Sequence, residues 1–139
     1  MSQVSQFRLH LLRAFYLLIV VGLGLSIWPQ ILFPDSMVAD PHSTIRAILA
    51  TFSLLALLGL RYPLQMLPIL LFELTWKTFW VLVSALPMWL NGGLDEYASG
   101  VFFACVMGIV LTPMVIPWKY VFQHYVKAVG DPWRSAAKR

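Results

Sequence analysis

Four long stretches of apolar residues dominate the chain, and short segments that hold most of the polar residues separate them. The stretches run from about Leu11 to Trp28, about Thr44 to Leu60, about Leu64 to Leu90 and about Tyr97 to Trp118. A transmembrane helix needs about 20 mostly apolar residues, so each stretch predicts one membrane-spanning helix. The predicted fold class is therefore all-α: a polytopic membrane protein built as a bundle of four transmembrane helices.

Helix-breaking and helix-capping residues mark the boundaries of these stretches. Pro29 is expected to end the first helix, because proline removes a backbone hydrogen bond from a helix interior. Ser43 or Thr44 is the expected N-cap of the second helix, and Asp95 is the expected N-cap of the fourth. Only residues 61–63 separate the second helix from the third, so these two should form an antiparallel hairpin.

The composition supports one membrane domain and leaves no room for a separate soluble one. Of the 139 residues, 60% are hydrophobic and 12% are charged, whereas a soluble domain has about 25% charged residues. We assign residues 1–130 to a single transmembrane domain, which includes an interfacial amphipathic helix over 119–129 after the fourth span. Residues 131–139 form a basic cytoplasmic tail.

The ten Lys and Arg residues are distributed unequally about the four stretches. If the spans alternate in direction, eight of the ten fall on one side: Arg8, Arg13, Arg61, Lys119, Lys127, Arg134, Lys138 and Arg139. Arg46 falls on the other side, and Lys77 lies inside the third stretch. The positive-inside rule then places both termini in the cytoplasm. Because the basic residues flank spans and form no single soluble face, the net charge of +4 does not indicate nucleic acid as a partner.

Glu73 and Lys77 are the exception to the separation of polar from apolar positions. They lie four residues apart inside the third stretch, hence on one helix face, and Glu before Lys is the favourable order for an ion pair. At 100° per residue, Ser84 falls on the same face and Trp76 and Trp80 fall beside it. We expect this face to point into the bundle, since lipid offers no partner to a charge.

The third helix is close to the limit of what a bilayer accepts. Two unpaired charges at the centre of a span would cost about 5–7 kcal/mol, at about 2.5–3.5 kcal/mol each. Twelve Leu, Ile, Phe and Val residues between Leu64 and Leu86 contribute about 4–7 kcal/mol in favour of insertion. This helix is therefore expected to need its own ion pair, and its neighbours, to remain in the membrane.

Three interpretations of the pair remain open. In the first, Glu73 and Lys77 neutralise each other and hold the third span in a small membrane protein that acts as a structural or accessory subunit through helix contacts. In the second, Glu73 cycles protons or binds a cation in a small proton- or cation-coupled transporter. In the third, the pair contacts a span of a partner protein. The scarcity of other ionisable residues inside the spans favours the first interpretation over the second.

Small residues predict a helix-packing face on the fourth span. Gly100, Ala104 and Gly108 repeat at four-residue spacing, which lets two helices approach closely. The neighbour is either another helix of this chain or the same helix of a second copy. The partners expected for the protein are the lipid bilayer and a second copy of the chain or another membrane protein.

The sequence contains no recognisable catalytic, cofactor or metal motif. G-x-S-x-G, H-E-x-x-H, C-x-x-C, P-loop and dinucleotide-binding patterns are all absent. Asp35, Asp40 and His42 in the loop after the first span are too few and too widely spaced to hold a metal ion. Cys105 is the single cysteine, so it has no partner for an intrachain disulfide. We therefore expect neither an enzyme nor a bound cofactor. The alternative, an enzyme that acts on lipid or quinone substrates, would require a lateral pocket at the inner interface near Tyr62, Trp118 and His124.

Several short motifs in about the C-terminal half of the chain form a recognisable set. They are Arg61-Tyr62-Pro63, Phe72-Glu73, Trp76-Lys77, Leu86-Pro87, Ile116-Pro117-Trp118 and Gly130-Asp131-Pro132-Trp133-Arg134. Together they resemble a group of small four-span proteins of the bacterial inner membrane to which no activity is attached. The resemblance implies a multi-pass protein of that membrane and nothing further.

Overall fold

The protein is helical throughout the part that the computed structural model describes, which comprises residues 4–35, 37 and 39–134. The α-helices of these residues are α1 (Gln6–Ser26), α2 (Trp28–Leu32), α3 (Pro41–Arg61), α4 (Leu67–Trp80), α5 (Leu86–Leu90), α6 (Glu96–Val115) and α7 (Trp118–Val121). A π-helical segment, Val81–Ala85, joins α4 to α5, and a second one, Phe122–Lys127, extends α7. The described residues contain no strand, so the predicted all-α class is confirmed.

Four helical units are long and apolar enough to cross a membrane. They are Gln6–Leu32, Pro41–Arg61, Leu67–Leu90 and Glu96–Val115, all within the described residues. The four helices that the prediction of four spans requires are therefore present, by their length and composition.

The four units are arranged as two pairs. α1 packs mainly against α3, and α4 packs mainly against α6, while contacts between the two pairs are much sparser. The second and third spans therefore run antiparallel, as the predicted hairpin requires, but they do not pack mainly against each other. The short turn after Arg61 fixes how α3 and α4 run, but each of them finds its main packing partner elsewhere. A cleft remains between the two pairs.

One end of the bundle, here called the terminal end, gathers the start of α1 and the end of α6. Arg8 donates from Nη1 to the carbonyl oxygen of Met114, 2.6 Å away. Arg13 donates from Nε to the carbonyl oxygen of Leu60 at 3.0 Å. Met114 and Leu60 lie in the last turns of α6 and α3, where carbonyl groups lack partners within the helix. The two arginines therefore provide hydrogen bonds to the last carbonyl groups of α6 and α3, and they also belong to the basic residues predicted on the cytoplasmic side.

The core of the bundle lies near the terminal end and is built around Tyr16. Its side chain is fully buried, and its hydroxyl donates to the carbonyl oxygen of Pro63 at 2.9 Å. The ring lies directly against Gly59 of α3, where an added β-carbon would be 2.5 Å from Cδ1 of the ring. Leu12 and Leu67 are also fully buried in this cluster. The close approach of α1 and α3 therefore requires a residue without a side chain at position 59.

The helix caps agree with one sequence prediction and correct another. Asp95 caps α6 as predicted, because its Oδ1 accepts a backbone N–H at 2.7 Å. The prediction of Ser43 or Thr44 as the N-cap of α3 is wrong: the cap is Asp40, which accepts from the backbone N–H of Ser43 at 2.7 Å. The Ser43 hydroxyl reaches back to the backbone N–H of Asp40 at 3.1 Å, completing a capping box. Pro41 occupies the first helical position, which tolerates proline.

The first span differs from its predicted bounds at both ends. α1 begins at Gln6, five residues before the predicted start, because Ser5 caps it by accepting from the backbone N–H of Arg8 at 3.1 Å. Pro29 does not end the helical path. It lies at the start of α2, where its missing N–H costs nothing, and the helical unit continues to Leu32.

The last span and the segment after it also differ from prediction. α6 ends at Val115 and not at Trp118, because Ile116 is extended and Pro117 follows it. The helix predicted over 119–129 is found as α7 and the π-helical segment that ends at Lys127. Of the predicted tail 131–139, residues 135–139 lie outside the described residues.

Candidate functional site

The centre of the candidate site is the ion pair of Glu73 and Lys77 on α4. Lys77 Nζ lies 2.6 Å from Glu73 Oε1, and the two side chains are 14% and 8% exposed. The regular α-helix between Leu67 and Trp80 brings the two residues together, since positions i and i+4 share a face. Both charges are thus largely buried and neutralised within a single helix.

Gly108 of α6 provides the space that Lys77 occupies. A β-carbon at position 108 would lie 2.6 Å from both Cδ and Nζ of Lys77. The lysine side chain therefore packs directly on the backbone of α6, as small residues permit in membrane helix pairs. Gly100 has open space where a β-carbon would be, and Ala104 is exposed. Of the three residues predicted to form a packing face, Gly108 is the one that meets the ion pair.

The tryptophans and the serine predicted near the pair occupy different positions. Nζ of Lys77 lies 5.8 Å from the ring centroid of Trp76, within the range of a cation–π contact. Trp80 ends the α-helical part of this span and lines a neighbouring cavity. Ser84 lies in the π-helical segment, where the α-helical angle used to place it no longer applies. The structure therefore groups Trp76 with the pair.

A cavity of about 390 Å³ lies beside the ion pair, in the cleft between the two helix pairs. Glu73 and Lys77 are the charged residues of its wall, and the remainder is apolar, with contributions from α1, α3, α4 and α6. Phe15, Phe52 and Trp76 supply aromatic surface. The volume falls within the range of about 300–1,000 Å³ that is usual for small-molecule sites.

A second cavity of about 490 Å³ adjoins the first on the side away from α1. The two cavities share four wall residues: Leu49, Phe52, Trp76 and Ala104. Tyr97, near the start of α6, also lines the second cavity, so this part of the cleft extends away from the terminal end. The cleft thus runs from the start of α6 to the depth of the ion pair.

Two buried oxygen atoms on facing helices lack hydrogen-bond partners among the described residues: Oε2 of Glu73 and Oγ1 of Thr112. α4 and α6 run antiparallel, and Lys77 lies against Gly108. Glu73 lies one helical turn from Lys77 on α4, and Thr112 lies one helical turn from Gly108 on α6, both towards the terminal end. Glu73 and Thr112 therefore lie at the same height along the bundle. Sequence reasoning missed Thr112, because the axial register of the two helices carries no local signal.

The remaining candidate groups do not assemble into a site. Asp40 and His42 form a pair at 3.9 Å, both exposed, at the start of α3. Cys105 is buried and free. Within the described residues, no group of three or more His, Cys, Asp or Glu side chains is placed to hold a metal ion.

The chain was also compared with known proteins. Comparison with protein-family models, with curated proteins and with solved structures found no match. The resemblance to a group of bacterial inner-membrane proteins therefore stays a prediction.

Proposed function

We propose that the protein is a small integral membrane protein with a structural or accessory role, in which the Glu73–Lys77 pair holds α4 in the bundle. The observation that carries the proposal is the closed 2.6 Å contact, seated on α6 at Gly108. The paired charges sit at the packing surface of the helix that is hardest to insert. Such a pair secures the position of one helix against its neighbour and needs no reaction to explain it.

The outer surface of the bundle supports a role in helix contacts. Within the most apolar window of each spanning unit, only 22–28% of residues are buried inside the chain. The rest of each helix faces lipid or the helices of a partner. The partner we propose is a second copy of the chain or another membrane protein.

We place the protein in the bacterial inner membrane, with the terminal end of the bundle facing the cytoplasm. Arg8 and Arg13 lie at that end, where they bond to the ends of α6 and α3. Arg46, near the start of α3, is the one basic residue predicted on the opposite side. Single cysteines introduced after Arg61 and at Gly93 should react with a membrane-impermeant label from opposite sides of the membrane. Labelling of both positions from the same side would contradict the topology.

The ion pair is tested by a double-mutant cycle. Glu73→Gln and Lys77→Met each leave one buried charge unpaired, so each should lower stability by about 3–5 kcal/mol. The double variant buries no charge and should be markedly more stable than either single variant. Thr75→Val, an exposed position on the same helix, is the control. Unfolding in mild detergent and the amount of protein in membranes are the measurements.

Two outcomes would contradict the accessory role. The first is a double variant that is no more stable than the less stable of the two single variants, because the two charges would then not act as a pair. The second is a protein that purifies only as a monomer in gentle detergent and gives no crosslinked partner in cells. Either outcome leaves the four-helix fold unaffected.

The cavity favours one second candidate, a proton- or cation-coupled transporter that uses Glu73. Glu73 and Lys77 line a cavity of about 390 Å³, which offers a place for a substrate beside the carboxylate. Protein reconstituted in liposomes should then show ion or solute flux that Glu73→Gln abolishes while the protein stays folded. The accessory role predicts no such flux. A flux that is equal in wild type and Glu73→Gln would contradict the transporter.

A further inference from the structure

Two arginines lie at one corner of the terminal end, where α1 packs against the end of α3. Arg13 donates from Nε to the carbonyl oxygen of Leu60 at 3.0 Å, and Arg61 is the residue that follows Leu60. The guanidinium carbon of Arg61 lies over the ring of Tyr62, 5.5 Å from its centroid. Arg13 and Arg61 are here called the arginine corner. Two positive charges are thus placed together by the contact of two helices that are distant in sequence.

Most hydrogen-bond donors of the arginine corner have no partner among the described residues. A guanidinium group has five N–H donors. Arg13 uses Nε–H to complete the end of α3, which serves packing, and its Nη1 and Nη2 groups bond to no other described residue. Arg61 is exposed, and its guanidinium group donates to no described residue. The donors on both side chains are therefore available to a ligand.

The carboxylates of the described residues do not neutralise the arginine corner. The chain has six acidic residues, and Glu73 is paired with Lys77. Four others lie towards the opposite end, around the starts of α3 and α6: Asp35, Asp40, Asp95 and Glu96. Asp131 follows the last helical segment and forms no ion pair with a described residue. The charge of the corner is therefore complementary to an anion from outside this part of the chain.

The helix faces that carry the two arginines are apolar further into the bundle. Leu17 lies one turn from Arg13 on α1, and Leu57 lies one turn from Arg61 on α3, both away from the terminal end. Positions four residues apart share a helix face. Leu17 and Leu57 are 49% and 52% exposed, so each face offers apolar surface beside its arginine. This arrangement matches an amphipathic anion, with its charged head at the arginines and its apolar part along the leucines.

Phosphate is the anionic group that fits two adjacent arginines in this setting. The planar guanidinium fork donates two parallel hydrogen bonds to two phosphate oxygens, which makes such contacts strong and directional. Basic residues at the membrane surface attract anionic lipids by about 1 kcal/mol each, or about fivefold in affinity. A phospholipid carries its phosphate at the depth where spanning helices end and its acyl chains beyond it, along the helix faces.

We infer that the arginine corner binds the headgroup of an anionic phospholipid, with its acyl chains along Leu17 and Leu57. Arg13 and Arg61 donate to the phosphate oxygens. A zwitterionic phospholipid should bind more weakly, because its ammonium group adds a positive charge beside two others. The inference rests on the proposal that the chain is an integral membrane protein, and it names a lipid partner for it.

Two arginines of α3 allow a matched test. Arg61→Gln removes one charge of the corner and breaks no hydrogen bond to a described residue, so the fold should persist. Arg46→Gln removes the same charge from the same helix at the opposite end. Arg13→Gln is less suitable, because it also removes the bond to the carbonyl oxygen of Leu60. A difference between the first two variants reports on the position of the charge and not on the net charge of the protein.

The experiment counts lipids bound to the purified full chain in nonionic detergent by native mass spectrometry. The probes are dioctanoyl phosphatidylglycerol and dioctanoyl phosphatidylcholine, which have the same chains. We expect the anionic lipid to bind about fivefold more tightly or better. Arg61→Gln should weaken its binding about fivefold, while Arg46→Gln binds as the wild type does. Inorganic phosphate in excess should not displace the lipid, because it lacks the acyl chains.

Other results would overturn the inference. Equal binding of the two lipids would mean that the charge of the headgroup is not recognised. Unchanged binding by Arg61→Gln would place the lipid elsewhere, and an equal loss in Arg46→Gln would show a response to net charge alone. Displacement by inorganic phosphate would make the corner a site for the free anion. The stability cycle at Glu73 and Lys77 is unaffected by any of these results, so the two proposals fail separately.

Discussion

Two regions of the bundle hold polar side chains between helices, and they satisfy them in opposite ways. Near the terminal end, Arg8, Arg13 and Tyr16 of α1 each donate to a backbone carbonyl of another part of the chain. In the cleft, Glu73 and Lys77 bond to each other and leave an oxygen and further donors unpaired among the described residues. The first arrangement is closed and serves packing. The second leaves a buried carboxylate oxygen without a partner, on a helix that also lines a cavity.

The two regions also use glycine differently. At Gly59 the neighbour is the ring of Tyr16, which is rigid, fully buried and fixed by its hydroxyl. At Gly108 the neighbour is the flexible side chain of Lys77, and a cavity lies beside it. A side chain added at either position meets an atom at about the same distance. The cost should nevertheless differ, because only Lys77 has somewhere to move.

Among the replacements that compare the two regions, the largest effect is expected for Gly59→Ala. The added methyl group collides with a ring that has no alternative position, so stability should fall by about 3 kcal/mol, the upper part of the range for overpacking. Unfolding in mild detergent measures the change. Gly24→Ala, at an open position of α1, is the control. A loss as small as that of the control would mean that α1 and α3 are less closely packed than described.

Gly108→Ala should have a smaller effect. Lys77 can turn towards the cavity, so we expect a loss of about 1–2 kcal/mol from strain at the displaced ion pair. Gly100→Ala on the same helix meets open space and should be neutral or slightly stabilising. The same unfolding measurement applies. If Gly108→Ala costs as much as Gly59→Ala, the distinction between a rigid and an adaptable region is wrong.

Tyr16→Phe tests the closed region through a single hydroxyl group. The replacement removes the donor to the carbonyl oxygen of Pro63 and leaves that buried acceptor unsatisfied. We expect a loss of about 1–2 kcal/mol. Tyr62→Phe, an exposed tyrosine near the same turn, serves as the comparison. An unchanged stability would show that water satisfies the Pro63 carbonyl group.

Thr112→Val tests the open region in the same way and should have the smallest effect. The Thr112 hydroxyl has no partner among the described residues, so replacing it with a methyl group of similar shape removes no hydrogen bond. We expect stability to change by less than about 0.5 kcal/mol, or to rise. Val115→Thr, the reverse change at a buried position of α6, is the control and should be destabilising. A large loss for Thr112→Val would reveal a bound water or ligand.

Local patterns were enough for some of these features. Stretches of about 20 apolar residues indicate the four helices, Asp95 stands where an N-cap belongs, and the spacing of Glu73 and Lys77 puts both on one face. Each of these depends on neighbours within one helix. Asp40 was missed although its signal is also local: Asp40, Pro41 and Ser43 together form a capping box with proline at the first helical position.

The features that sequence reasoning missed depend on which helices lie opposite each other and at what height. Gly59 against Tyr16, Gly108 against Lys77 and Thr112 level with Glu73 all require that information. An apolar helix face is about as stable against lipid as against another apolar helix, so the pattern of hydrophobicity does not specify which helix it packs against. Ser84 lies in the π-helical segment after Trp80, where the angle per residue differs from the one used to place it.

The position of the ion pair within one helix bears on the order in which the protein is made. Chains are synthesised from the N-terminus, so in the membrane protein proposed above α4 would enter the bilayer before its main partner, α6, exists. A charge whose counter-charge lay on α6 would wait unpaired in the bilayer. With both charges on α4, neutralisation is complete as soon as this helix forms. Because the pair lies at positions 73 and 77 of one helix, the insertion of α4 does not depend on the later arrival of α6.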